Sequence, residues 1–101
     1  MKTQPELQEM LEELLNSPNA YFQPPASVEM QYPAIEYSIS DITNTYADNS
    51  IYQQYTAYEL IVIDQDPNSE LVRKVSRLPM CKFVRHYVAD NLNHAVFILA
   101  F

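Results

Sequence analysis

The segment Tyr55-Thr56-Ala57-Tyr58-Glu59-Leu60-Ile61-Val62-Ile63-Asp64 decides the fold. Its centre, Leu60-Ile61-Val62-Ile63, is apolar at consecutive positions, so both faces of an extended chain there need cover. β-branched and aromatic residues dominate, which favours strand over helix. The spacing predicts a central strand over 55–64, and the neighbouring segments must supply the layers that bury it.

Upstream, Pro33-Ala34-Ile35-Glu36-Tyr37-Ser38-Ile39-Ser40 alternates, with Ile35, Tyr37 and Ile39 on one face, and reads as a second strand. Between the two, residues 41–54 are polar and long for a hairpin connection, and are expected to form a functional or mobile loop. Tyr21-Phe22-Gln23 is a short extended piece stopped by Pro24-Pro25. Before it, Leu7, Met10, Leu11, Leu14 and Leu15 recur at helical spacing after Pro5, predicting a helix over about 4–16. Glu9, Glu12 and Glu13 lie on its polar side, where solvation accounts for them.

Downstream, Asp66-Pro67-Asn68-Ser69 is turn and cap chemistry opening a second helix over about 68–78. Leu71, Val72, Val75 and Leu78 form its apolar side, and Pro79 stops it. Cys81 to Val88 and His94 to Phe101 read as two more strands, joined at 89–93 as a hairpin. The tripeptide Ala-Asp-Asn occurs at 47–49 and 89–91, two turns that use asparagine where glycine would serve. The order α-β-β-β-α-β-β predicts one α+β domain over residues 1–101. Its mostly antiparallel sheet of four to five strands carries two helices packed on it.

The chain contains no glycine, where average usage would supply roughly seven. That removes the phosphate-binding loop, the dinucleotide-binding turn, the nucleophile elbow and the EF-hand loop, all of which require it. Of 101 residues, 48 % are apolar, an ordinary globular content. A net charge of −7 argues against duplex DNA binding through phosphate neutralisation. No apolar run of 18 residues and no signal peptide is evident, so no membrane partner is expected. Cys81 is the single cysteine, which excludes an internal disulfide and fits a reducing compartment.

Charge is segregated. Residues 71–89 hold Arg73, Lys74, Arg77, Lys82 and Arg85 and no acid, a local +5; the remainder sums to −12. A solvated face, internal ion pairing and complementarity between copies are all consistent with that pattern. The terminal run Ala95-Val96-Phe97-Ile98-Leu99-Ala100-Phe101 is apolar throughout and must dock in the core or against another subunit. Phe97, Leu99 and Phe101, with the five cations, are therefore candidate subunit contacts. Tyr46, Asp48, Asn49, Tyr52 and Tyr55 are candidate contacts from the expected loop, because tyrosine is enriched at interfaces.

Two chemical constellations carry less. Asp64 and Asp66 have the spacing of a weak divalent-metal pair and equally of strand-end and cap residues. Cys81, His86 and His94 supply nucleophile and base types without an oxyanion loop. Neither makes a persuasive site, so no catalytic residue and no cofactor is expected.

Five stretches together resemble a known family: Tyr21-Phe22-Gln23-Pro24-Pro25, Tyr32-Pro33-Ala34-Ile35-Glu36-Tyr37, Tyr46-Ala47-Asp48-Asn49, Val62-Ile63-Asp64-x-Asp66-Pro67, and Arg85-His86-Tyr87-x-x-Asp90-Asn91-Leu92-Asn93-His94. They resemble the tail terminator, or tail-to-head joining (tail completion), proteins of long-tailed bacteriophages, over nearly the whole chain. The resemblance implies a non-enzymatic virion protein assembled in the host bacterial cytoplasm. It further implies a ring, commonly a hexamer, that caps the tail tube and meets the head connector. No catalytic residue belongs to that pattern. Six copies would carry −42, and an acidic lumen would repel DNA passing through it. The alternative is a small acidic phage inhibitor that mimics nucleic acid against a host protein, a reading the basic segment weakens.

Overall fold

In the computed structural model, residues 3–48 and 50–101 are described, with the backbone alone at 45–47 and 51–53. The elements are α1 (Gln4–Leu15), β1 (Ala20–Phe22), β2 (Ala34–Ala47), β3 (Ser50–Asp64), α2 (Glu70–Ser76), β4 (Cys81–Ala89) and β5 (Leu92–Ala100). They form one five-stranded sheet in the order β1-β2-β3-β5-β4, an α+β architecture. β1 runs parallel to β2 and every other pairing is antiparallel.

The strand called from Leu60-Ile61-Val62-Ile63 is central, paired to β2 on one side and β5 on the other. Register follows from its period of two. Tyr37, Leu60, Phe97 and Phe83 line up across one face, flanked by the row Ile35, Val62, Ala95 and His86. That face holds the core, closed by Leu7 and Leu11 of α1 and Leu71 and Val75 of α2. On the reverse face Ala34, Ile63 and Val96 are buried while Ile61 and Ile98 are half-buried.

The expected loop at 41–54 does not exist as a loop. β2 and β3 continue through it as one long hairpin, with Ala47 paired to Ser50 and Asp48 in the turn at φ 51°. β3 pairs with β5 only from Ala57 onward, so beyond Ile42 and Thr56 the strand pairing among the described residues is between β2 and β3. There the Gln54 amide donates across the pair to Asn44 Oδ1 at 2.8 Å. This arm contributes to an envelope of 51 × 25 × 23 Å.

Both helices are shorter than their expected spans. α1 stops at Leu15 because Asn16, in the left-handed region at φ 55°, turns the chain as glycine would. The β4–β5 turn does the same with Asp90 at 53° and Asn91 at 61°. Met80 sits at φ 60° with no such polar side chain to compensate, and its side chain is 72 % exposed. Met80→Gly should therefore raise stability by roughly 0.5 kcal/mol. Relief of the left-handed penalty exceeds the added unfolded-chain entropy. A thermal melt checks it, and a lowered midpoint contradicts the backbone argument.

One buried phenol ties α1 to the sheet. Gln4 Nε2 donates to the Tyr37 hydroxyl at 2.7 Å, and that hydroxyl donates to Gln8 Oε1. The ring also packs on Phe22 at 5.1 Å and Tyr58 at 6.1 Å between centroids. Tyr37→Phe keeps the ring and strands the two amides, an expected loss of about 1–2 kcal/mol in urea denaturation. Desolvation raises the Tyr37 hydroxyl above its ordinary value of 10.0, against the lowering effect of the Gln4 bond; desolvation raises Tyr58 as well. A raised folded-state value favours the neutral phenol, so this contribution is complete below about pH 10 and fades as pH climbs beyond it. The variant should show a shallower alkaline loss than the parent.

Candidate functional site

β4 is the outer strand of the sheet, so among the described residues one side of its backbone has no strand beside it. Along it Lys82, Phe83, Val84, Arg85, His86, Tyr87 and Val88 are all exposed. Phe83 is 52 % exposed and Val88 64 %, values that follow from having cover on one flank only. Phe83 leans on buried Phe97, ring centroids 5.5 Å apart and near edge-on. On the reverse face the Tyr87 ring stacks on His94 at 4.6 Å, with the Arg85 guanidinium 5.8 Å from the Tyr87 centroid. His94 Nδ1 donates to the Leu92 carbonyl at 3.0 Å, which fixes the ring.

α2 packs beside β4, and its Arg73, Lys74 and Arg77 are exposed, as are Lys82 and Arg85 of β4, which the register places on the face of the sheet away from the helices. Among the described residues no ion pair ties these five cations to a carboxylate. The five cations of the basic segment are thus divided between α2, on the helix side, and the reverse face of the outer strand.

The other expected contacts fare differently. Phe97 is 0 % exposed and Leu99 2 %, both sealed beneath the helices, so they are core residues and not subunit contacts. The correction has a plain cause: β5 lies between β3 and β4, where its apolar side chains find cover within one protomer. Phe101 is half-buried; its amide donates to the Thr56 carbonyl at 3.0 Å. Tyr55 and Asp48 are exposed on the arm. Asn49 and the side chains of Tyr46 and Tyr52 lie outside the described residues.

Asp64 and Asp66 serve the approach to α2. Asp64 Oδ1 accepts the Asp66 amide at 3.1 Å and Asp66 Oδ1 accepts the Asn68 amide at 2.9 Å, two consecutive turns of the kind aspartate favours. They border a cleft of about 130 Å³ with His86, Asn93 and Ser69, whose buried Oγ has no hydrogen-bond partner among the described residues. No set of three or more His, Cys, Asp or Glu there is placed to hold a metal ion. Cys81 and His86 face the helix side while His94 faces away, so the three are not brought together. Burial pushes the Cys81 thiol up, away from the thiolate form.

Sequence reasoning missed the arm. A signal was present in Ile42, Thr43, Thr45, Tyr46, Ile51, Tyr52, Tyr55 and Thr56, all strand-favouring, around the turn residues Ala47-Asp48-Asn49. No protein-family model matches the chain, and a search of curated proteins finds no match.

Proposed function

We propose that this chain is a structural subunit of the head–tail joint of a tailed bacteriophage. Copies form a ring, sixfold in the usual form of the family it resembles, that caps the tail tube and joins it to the head connector. The observation that carries this reading is a pair of unsatisfied features at opposite margins. Past the end of β1 the outer edge of β2, where the β2–β3 arm begins, faces one margin of the sheet, and the edge of β4 with Lys82 and Arg85 is the other. Complementary surfaces at opposite margins suit head-to-tail contact, which closes into a ring when the rotation allows. In this role the protein transforms no substrate, needs no cofactor and is carried in the virion after assembly in the host cytoplasm. DNA passes through the ring and is repelled by its net negative charge.

The test is direct. Purified protein is mixed with tail tubes that lack it and imaged in negative stain. The expected result is a ring-shaped cap at one end of each tube; bare ends at saturating protein sink the reading. The inhibitor alternative draws on the exposed carboxylates of Glu6, Glu9 and Glu13 along α1. A stoichiometric host protein recovered from lysate, together with bare tube ends, would favour it instead.

A further inference from the structure

We infer that the open edge of β4 receives, as an added strand, the outer edge of β2 at residues 40–44 from a second copy, so that the sheet runs on from protomer to protomer. This rests on the ring reading for its self-association and adds which backbones make the joint.

Three observations support it. First, β4 exposes apolar side chains on both of its faces, Phe83 on the helix side and Tyr87 on the reverse. A docked helix covers one face of a strand; an added strand covers both and also satisfies the edge N–H and C=O groups. Second, the chain itself carries a suitable second edge. β1 reaches along β2 only to Tyr37, and a last bond from the Ile39 amide to Gln23 Oε1 at 3.2 Å ends that cover. Past it, Ile42 is 50 % exposed and its amide donates to the Asp41 carboxylate at 2.8 Å. Pairing would exchange that local bond for one to a partner carbonyl and release Asp41 toward a cation. Third, the charges fit. β4 offers Lys82 and Arg85 with no acid, and residues 40–44 offer Asp41 with no cation. Pairing β4 with another β4 would set like charges against each other, which disfavours the symmetric dimer.

The two edges lie at opposite margins of the sheet, so each copy gives one and takes one. The basic residues on β4 then have two roles: in the free protomer they discourage unwanted edge pairing, and in the assembly they select an acidic strand.

Hydrogen exchange and light scattering on the intact chain decide the matter. Between dilute and associated samples, exchange should slow by about tenfold or more in peptides spanning 39–44 and 81–89. Arg85→Glu, at an exposed site, should fold normally yet weaken self-association by about tenfold, and Asp41→Lys in the same chain should restore part of the loss. An oligomer whose new protection falls elsewhere, on α1 for example, overturns the strand joint and leaves the ring reading standing. A monomer at every concentration also overturns the joint, while tube-end binding separately judges the functional reading.

Discussion

Replacing Phe97 with alanine is expected to cost about 3–5 kcal/mol, enough to leave the chain marginal or unfolded. The ring is fully buried in the middle of the row Tyr37, Leu60, Phe97 and Phe83, and truncation opens a cavity that β3 and the helices cannot collapse to fill. Phe83→Ala is the control. Its ring lies on the same row but half outside, so about 1 kcal/mol is expected from the area lost. Urea denaturation of both variants gives the comparison. A Phe97→Ala protein with the parental midpoint and impaired association would restore the last strand to the interface and remove it from the core.

Excising the arm should have the opposite signature. Residues 42–56 are replaced by Asn-Gly, which closes a two-residue hairpin turn directly on the paired Asp41 and Ala57. Among the described residues none of 42–56 belongs to the buried core cluster, so the body is expected to stay folded within roughly 1–2 kcal/mol of the parent. Self-association and capping of tail tubes should disappear together. Thermal melts, light scattering and negative-stain images of one preparation read all three. Retained capping by a folded, armless protein would remove the arm from the proposed function.

The positions that sequence read well share a local cause. Leu60-Ile61-Val62-Ile63 announces a strand covered on both faces by its own composition, and β3 is central. Asp90 and Asn91 announce a turn because their side chains tolerate the left-handed backbone, and both residues adopt it. Pro79 marks the limit of α2, whose last helical residue is Ser76.

The errors also share a cause. From Ile42 to Thr56 the sheet pairing of the arm is between β2 and β3, and the sequence there lacks the apolar–polar alternation that marks a strand with one buried face. Its backbone hydrogen bonds form regardless, and polar Thr, Asn and Gln suffice to decorate it. Phe97 and Leu99 were assigned to contacts between copies because an apolar strand carries no label saying which surface will cover it.

Outside the arm, element types, turn positions and the segregation of charge were therefore determined by the sequence itself, since each depends on residues within a few positions of one another. Strand order was decided only by the tertiary structure. Placing β5 between β3 and β4 buries Phe97 and leaves β4 at the edge of the sheet, with Lys82 and Arg85 exposed along it. Order depends on which distant segments bury the most apolar surface against each other, and no local pattern encodes that competition.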